Sequence, residues 1–206
     1  MTAPDRPQIY LVTPPDPDRE GWDASLSSVL DQVAVACLRL RMATLDEDRI
    51  LRTADRLREL VHARDVPLVI EEHFGLVERL GLDGVHLTDG SRSVRKVRKA
   101  LGDDAIIGAY CSASRHDGMN AGEMGADYVA FGPAGATALG TGERAGRDLF
   151  AWWSEMIELP VVAEGALDPA TVAELESVTD FFAFGEEIWR SEDPATALKA
   201  LVAEMG

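Results

Sequence analysis

Two arginines near the end of a β-prone run have a spacing that would let both side chains bind the same ligand. Arg39 and Arg41 are separated by one residue at the end of the run 34–40. Because strand side chains repeat every two residues, both arginines are expected on one face of a strand. Paired guanidinium groups suit the oxygen atoms of an anion, so the spacing predicts an anion clamp. Salt bridges to Glu71 or Glu164 are the structural alternative.

Carboxylates and histidines follow the next two predicted strands. Glu71, Glu72 and His73 end one apolar run, and His86 lies in the next, with Asp89 after it. Carboxylate oxygens suit a hard cation such as Mg²⁺, although adjacent strand residues point to opposite faces, so only one glutamate is expected to point inward. Either histidine could serve as a general acid or base. For His86 a hydrogen-bonded core histidine is the alternative.

The elements around these residues alternate between strand and helix. Residues 67–88 form a complete strand-helix-strand unit, with short apolar runs at both ends and helical spacing between them. Eight such strands, each followed by a helix or helical turn, predict one (β/α)₈ barrel over residues 1–206, with an open doubly wound sheet as the alternative. The C-terminal ends of barrel strands meet in one cup. We expect that cup to collect Arg39, Arg41, Glu71, Glu72, His73, His86, Asp89, Tyr110, Cys111, Glu164, Glu186 and Glu187.

Composition excludes several classes of partner. The net charge is −16, from 36 acidic and 20 basic residues, so nucleic-acid backbones and anionic membrane surfaces would be repelled. The N-terminal residues lack a signal-peptide pattern, and a cytoplasmic location with reduced cysteines is expected.

Cys111 has no base at a suitable spacing, so a buried thiol is favoured over a nucleophile. Gly132 and Gly165 could let a ligand approach the backbone.

The order of segments resembles the thiamine-phosphate synthase and TenI superfamily of small (β/α)₈ barrels, over nearly the whole chain. The segments that carry the resemblance are IYLVT at 9–13, CLRLR at 37–41, LVIEEH at 68–73, GLDGVHL at 81–87, AIIGAYCS at 105–112, GADYVAFGP at 125–133 and PVVAEGALDP at 160–169. Its synthases join an aminopyrimidine pyrophosphate to a thiazole phosphate with Mg²⁺, and its TenI proteins aromatise the thiazole phosphate.

The resemblance implies roles for individual residues. Arg39 matches the arginine that binds pyrophosphate, and Arg41 stands where the family has lysine. Mg²⁺ would be held by Glu72 and Asp89, although an Asn-Asp pair stands in the family where this chain has Glu71-Glu72. The family's second metal-binding aspartate falls at Ser91. Further substrate contacts are expected from Cys37, Glu71, Tyr110, Cys111, Gly132, Thr137, Glu164, Gly165, Gly185 and Glu186.

Two changes alter the charge expected around the substrate phosphate. Glu164 precedes the family's glycine pair, here Gly165-Ala166, and Glu186 replaces a serine. At about 4 to 6 Å and an effective dielectric near 20, the two carboxylates would together repel a phosphate dianion by a few kcal/mol, so they are expected to exclude one.

Three functions follow as expectations. The first is a thiamine-phosphate synthase acting on small phosphate or pyrophosphate substrates. The alternatives are a TenI-like thiazole tautomerase and a catalytically inactive ligand-binding barrel. The aromatic stretches near residues 152 and 181 could form a homodimer interface, with core packing as the alternative.

Overall fold

Eight parallel strands form the centre of the molecule and close on themselves. The computed structural model describes residues 6–136, 143–203 and 205. Each strand pairs with the next in chain order, and the last pairs with the first, which confirms the (β/α)₈ barrel and excludes the open sheet. The strands are β1 (Gln8–Val12), β2 (Cys37–Leu40), β3 (Leu68–Glu71), β4 (Gly84–Leu87), β5 (Ile106–Tyr110), β6 (Tyr128–Phe131), β7 (Val161–Glu164) and β8 (Phe181–Phe184).

Helices connect the strands on the outside of the barrel. They are α1 (Trp22–Leu30), α2 (Glu47–His62), α3 (Val77–Leu80), α4 (Val94–Leu101), α5 (Arg115–Glu123), α6 (Arg147–Met156), α7 (Pro169–Leu175), α8 (Glu186–Trp189) and α9 (Pro194–Leu201), with a 3₁₀ turn at Phe74–Leu76. The sequence did not predict α8. Within the described residues, no helix has both the length and the apolar character needed to cross a bilayer.

The long helix α2 shows how the sequence forms these elements. Asp46 caps its first turn, since the carboxylate accepts a hydrogen bond from the backbone N–H of Arg49 at 3.1 Å. Ile50, Ala54, Leu57 and Val61 recur at helical spacing and are buried. The strand before it, β2, begins at Cys37 opposite Tyr10, so Val35 lies ahead of the strand on which the sequence had placed it.

Three aspartates perform the same structural role at the N-terminal face of the barrel. Asp83, Asp127 and Asp180 each precede an even-numbered strand. Their carboxylates accept hydrogen bonds from the backbone N–H groups of Leu68 at 2.7 Å, Ile107 at 2.7 Å and Val161 at 2.8 Å. Each aspartate therefore satisfies a donor near the start of the preceding strand, at the end of the barrel opposite the expected cup.

Apolar side chains fill two separate layers. The larger lies between sheet and helices and includes Trp22, Trp153, Phe182, Phe184 and Trp189. Most of the aromatic side chains considered for an interface are therefore packed in the core, and the homodimer stays a prediction. The smaller layer fills the barrel interior with Tyr10, Val12, Cys37, Val69, Tyr128, Ala130, Val162 and Ala183. Side chains of this inner layer form the floor beneath the cup.

Candidate active site

A cleft of about 720 Å³ opens at the C-terminal ends of the strands. It is lined by Val12, Arg39, Arg41, Pro133, Glu164, Gly165, Ala166, Ala183, Gly185, Glu186, Glu187 and Arg190. Most of the polar lining residues come from the ends of β2, β7 and β8 or from the loops that follow them. This is the face on which barrels of this kind place their ligands.

Arg39 lies at the bottom of this cleft and is only 3% exposed. Its Nη1 atom is 3.0 Å from Glu164 Oε2, and its Nε atom is 3.6 Å from Glu71 Oε2. The guanidinium also lies 5.8 Å from the ring centre of Tyr10. Burial alone would lower the pKa of Arg39, but Glu164 above all raises it, so the group keeps its charge. The salt bridges considered as the alternative to an anion clamp are thus formed here.

Arg41 is more accessible than Arg39. Its side chain is 35% exposed, and its Nη2 atom is 3.7 Å from Glu186 Oε1. The other oxygen of Glu186 forms an ion pair with Arg190, one helical turn further on. Among the described residues, Arg41 forms one ion pair, with Glu186 at a long distance, and its side chain lines the cleft.

A buried chain of polar groups crosses the barrel interior beneath the arginine. The hydroxyl oxygens of Tyr10 and Tyr128 are 2.8 Å apart, and Tyr128 Oη is 2.9 Å from His86 Nδ1. The other ring nitrogen of His86 is buried without a hydrogen-bond partner among the described residues. Burial and, secondarily, the charge of Arg39 lower the pKa of His86 well below its ordinary value, so the ring is neutral. His86 is thus a hydrogen-bonded histidine of the barrel interior.

Glu71 and Glu72 separate at the end of β3, as their alternation predicts. Glu71 reaches Arg39, and burial raises the pKa of its carboxyl despite that arginine. Glu72 has a positive φ of 66°, and its Oε1 atom accepts hydrogen bonds from both the backbone N–H and the hydroxyl of Thr88. Only Glu71 therefore takes part in the charge cluster at the cleft floor.

Glu72 and Asp89 suit a magnesium ion in number and chemistry. The Glu72 carboxylate contacts Thr88, the residue before Asp89, so the two acidic groups follow neighbouring strands. Asp89 Oδ2 accepts a hydrogen bond from Ser93 Oγ at 2.6 Å, while its buried Oδ1 has no hydrogen-bond partner in the described parts of the chain. Among those residues, no group of three or more His, Cys, Asp and Glu side chains is arranged so that it could hold a metal ion. Mg²⁺ usually takes only one or two protein carboxylates, with phosphate and water completing its shell, so the two residues are of a suitable chemical type. Glu72 lines the groove that also contains His73, whereas the lining of the cleft includes neither Glu72 nor Asp89.

Glu187 forms contacts that the sequence did not predict. Its Oε1 atom accepts a hydrogen bond from the backbone N–H of Leu167 at 3.3 Å, and its Oε2 atom accepts one from the backbone N–H of Gly185 at 2.8 Å. Leu167 follows β7 and Gly185 follows β8. One carboxylate thus bridges two loops of the cleft. The sequence placed Glu187 in the cup without a role and assigned one only to its neighbour Glu186.

The remaining candidate residues lie at various distances from the cleft. Cys37 and Cys111 are buried free thiols whose pKa burial raises to about 12. The hydroxyl of Tyr110 donates to the carbonyl oxygen of Gly132 at 2.7 Å. His73 is exposed in a separate groove beside Met42. Thr137 lies outside the described residues.

Two of the glycines predicted to lie at the site occupy positions where a side chain would clash or would strain the backbone. A Cβ atom at Gly132 would lie 2.4 Å from the carbonyl oxygen of Glu164, which is closer than real contacts allow. Gly165 has a φ of +86°, a backbone conformation that favours glycine. Both glycines therefore bring the backbone of neighbouring loops close together at the cleft.

Known proteins are similar to this chain in both sequence and fold. A family model for thiamine monophosphate synthase matches residues 9–186. The thiamine-phosphate synthase of Rhodospirillum centenum is 40% identical over 196 residues, covering 93% of this chain and 94% of that protein. The Erythrobacter litoralis thiamine-phosphate synthase is 36% identical over 204 residues, covering 96% and 95%.

Solved structures agree at the level of the fold. The thiamine phosphate pyrophosphorylase of Pyrococcus furiosus superposes with a TM-score of 0.83 at 21% identity, covering 96% of this chain and 94% of that one. The resemblance inferred from the segments at 37–41, 81–87 and 125–133 is therefore confirmed over nearly the full length, and the chain belongs to the thiamine monophosphate synthase family.

Proposed function

We propose that the protein is a transferase that joins an aminopyrimidine pyrophosphate to a thiazole and releases pyrophosphate. The observation that supports the proposal is the position of Arg39 and Arg41, which both lie at the end of β2 and line the same cleft. The chain is also similar, over nearly its full length, to thiamine-phosphate synthases. Two guanidinium groups at one strand end suit the two phosphoryl groups of a pyrophosphate.

The arginines would exchange partners when the substrate binds. Arg39 is held by Glu164 and Glu71, and a pyrophosphate must compete with both carboxylates for it. Arg41 forms a longer ion pair, with Glu186 at 3.7 Å, and is the more accessible group for a first contact. When bound by Glu72 and Asp89, Mg²⁺ would supply charge neutralisation for the pyrophosphate.

Catalysis would rest on orientation and charge stabilisation rather than on a covalent intermediate. Burial raises the pKa of the Cys111 thiol to about 12, so its nucleophilic thiolate form is scarce near neutral pH. The cleft instead offers arginines to a leaving group that gains negative charge as its bond to the pyrimidine breaks. Tyr10, Tyr128 and His86 would hold the floor on which Arg39 rests.

The activity can be tested directly. The protein is incubated with the aminopyrimidine pyrophosphate, Mg²⁺ and either the thiazole phosphate or the corresponding thiazole alcohol, and released pyrophosphate and coupled product are measured. Arg41→Ala should lower the rate at least about tenfold, because it removes a charge-assisted contact. Arg95→Ala, on the exposed face of α4, is the matched control. Absence of product with both thiazoles would refute the proposal.

A ligand-binding barrel without catalysis is the second candidate. The observation that favours it is that Glu164 and Glu71 already neutralise Arg39 within the cleft. Tight binding of a thiazole or pyrimidine without turnover in the same assay would support it. A tautomerase has less support, since His86 is buried in the barrel interior, where its ring contacts Tyr128.

A further inference from the structure

We infer that Thr13 is a positioning residue for the anion site, because its hydroxyl group fixes the backbone of Arg41 and so determines the direction in which that guanidinium enters the cleft. The inference rests on the proposed transferase function for the identity of the anion, a pyrophosphate. It goes beyond that function by giving a role to a side chain that is fully buried and does not line the cleft.

The first argument is the pair of hydrogen bonds that joins Thr13 to Arg41. The Thr13 hydroxyl donates to the backbone carbonyl oxygen of Arg41 at 2.8 Å, and the backbone N–H of Arg41 donates to the same hydroxyl oxygen at 2.9 Å. A hydroxyl group can donate one hydrogen bond while it accepts another. One side chain therefore satisfies both backbone polar groups of the residue that carries the more accessible guanidinium.

The second argument is where these bonds lie in the sheet. β1 ends at Val12 and β2 ends at Leu40, so Thr13 and Arg41 are the first residues beyond two neighbouring strands. The backbone N–H of Thr13 still donates to the carbonyl oxygen of Arg39 at 2.9 Å. A parallel ladder would next pair the N–H of Arg41 with the backbone carbonyl oxygen of Thr13, and the Thr13 hydroxyl accepts that bond instead. The side chain thus extends the pairing of the two strands as far as Arg41.

The third argument is the difference in how the two arginines are held. The Arg39 guanidinium contacts two carboxylates and the Tyr10 ring, so its position is fixed at the charged end of the side chain. Arg41 forms one ion pair among the described residues, at 3.7 Å, and is more exposed. Its guanidinium is therefore held chiefly through the backbone from which it extends. Because arginine side chains lose rotational freedom on binding an anion, a fixed backbone lowers the entropic cost.

A backbone hydrogen bond between the same two loops holds the chain just beyond Arg41. The N–H of Ala43 donates to the carbonyl oxygen of Pro15 at 2.9 Å. The loop after β2 is therefore joined to the loop after β1 at Ala43 by backbone groups and at Arg41 by the Thr13 side chain. Without the hydroxyl group, the N–H and carbonyl groups of Arg41 lose these partners, and the backbone can rotate toward others.

The test is calorimetric binding of pyrophosphate, in the presence of Mg²⁺, to the full chain. Thr13→Val keeps the branched shape of the side chain and removes both hydrogen bonds. Its affinity for pyrophosphate should fall at least about threefold, and by no more than in Arg41→Ala. Thr13→Ser keeps the hydroxyl group and should bind within about twofold of the wild-type protein.

Two further comparisons distinguish positioning from a purely structural effect. Thr179 is a matched control, since its buried hydroxyl also contacts the backbone of two strands, at the carbonyl oxygens of Val161 and Phe181, but at the opposite face of the barrel. Thr179→Val should lower the melting temperature and leave the affinity for pyrophosphate unchanged. The double variant of Thr13→Val with Arg41→Ala should bind pyrophosphate as Arg41→Ala does, because Thr13 acts through Arg41.

The outcomes separate this inference from the proposed function. Unchanged affinity in Thr13→Val, an equal loss in Thr179→Val, a Thr13→Ser variant as weak as Thr13→Val, or a further loss in the double variant would each overturn the inference. So would a wild-type protein that binds no pyrophosphate. If Thr13→Val does not fold, Thr13→Ala, which is smaller, is measured in its place. Failure of the proposed function alone would appear as intact pyrophosphate binding with no coupled product in the assay.

Discussion

Arg39 and Glu164 form an ion pair across the bottom of the barrel cup, with 3.0 Å between Nη1 and Oε2, and their side chains are only 4% and 17% exposed. The pair joins the end of β2 to the end of β7, two strands that are not neighbours in the sheet. At the floor of the candidate site, this ion pair therefore links two strands that the hydrogen bonds of the sheet do not join directly.

Removing Arg39 should destabilise the protein strongly. Arg39→Ala leaves Glu164 and Glu71 without their cation in a largely buried setting, and the free energy of unfolding should fall by about 3–5 kcal/mol. Arg190→Ala breaks an exposed pair and should cost less than about 1 kcal/mol. Urea unfolding of both variants provides the measurement. A loss in Arg39→Ala no larger than that in Arg190→Ala would show that the pair contributes little.

Stability should depend on pH through His86. Burial keeps its pKa in the folded state well below the ordinary value of 6.5. Below pH 6.5 the unfolded chain therefore binds a proton that the folded protein does not, and stability is lost as pH falls. His86→Phe should reduce the slope of unfolding free energy against pH between about 5 and 6.5, although it also removes the contact with Tyr128. Denaturant titrations at several pH values test this.

The Glu71 carboxyl changes stability with pH in the opposite direction, so its contribution must be distinguished from that of His86. Burial raises the pKa of its carboxyl above the ordinary value of 4.5, so its contribution is present at low pH and is lost as pH rises through the folded-state pKa. Comparing wild type with His86→Phe at each pH cancels this contribution. Identical slopes in the two proteins would contradict the role given to His86.

Gly108 should not tolerate a methyl group. A Cβ atom there would lie 2.0 Å from Cζ of Tyr128 and 2.3 Å from its hydroxyl oxygen. Gly108→Ala would displace the ring that contacts both Tyr10 and His86, at a cost of about 1–3 kcal/mol. Gly75→Ala is the control, since its Cβ would meet nothing within 4 Å. Equal melting temperatures for the two variants would show that the interior yields easily.

Metal binding should depend on Asp89. Its buried Oδ1 atom has no hydrogen-bond partner within the described residues. Asp89→Asn removes the charge at nearly constant size and should weaken Mg²⁺-dependent pyrophosphate binding at least about tenfold. Asp104→Asn, exposed before β5 at the opposite face, is the control. Calorimetry with pyrophosphate at increasing Mg²⁺ would reveal an unchanged metal dependence if Asp89 is not a ligand.

The barrel was predictable because each strand is a short apolar run followed by a helix. The same alternation separated Glu71 from Glu72 and placed Arg39 near Glu71 and Glu164. It could also have located Tyr10, which pairs with Cys37 and so shares the inward face of Arg39. Its bond to Tyr128 could not be anticipated, because the two residues are 118 positions apart and the contact depends on the barrel's register.

Glu187 illustrates what local sequence patterns cannot supply. Whether it or Glu186 turns toward the loops depends on the short helix α8, which has too few residues for helical periodicity to appear. Its hydrogen-bond donors also lie on the backbone, where residue identity gives no signal. Such a contact becomes visible only when the ends of β7 and β8 are brought side by side.

The pairing of β1 with β8 also governs how this protein can fold during synthesis. The indole N–H of Trp189 donates to the carbonyl oxygen of Val12 at 2.6 Å, across 177 positions of the chain. While the ribosome is still producing the C-terminal part, β1 has no eighth strand beside it and presents an open edge that could pair with other chains. Closure must wait for translation to pass Phe184, the last residue of β8, so nascent chains truncated before β8 should be the ones that chaperones retain.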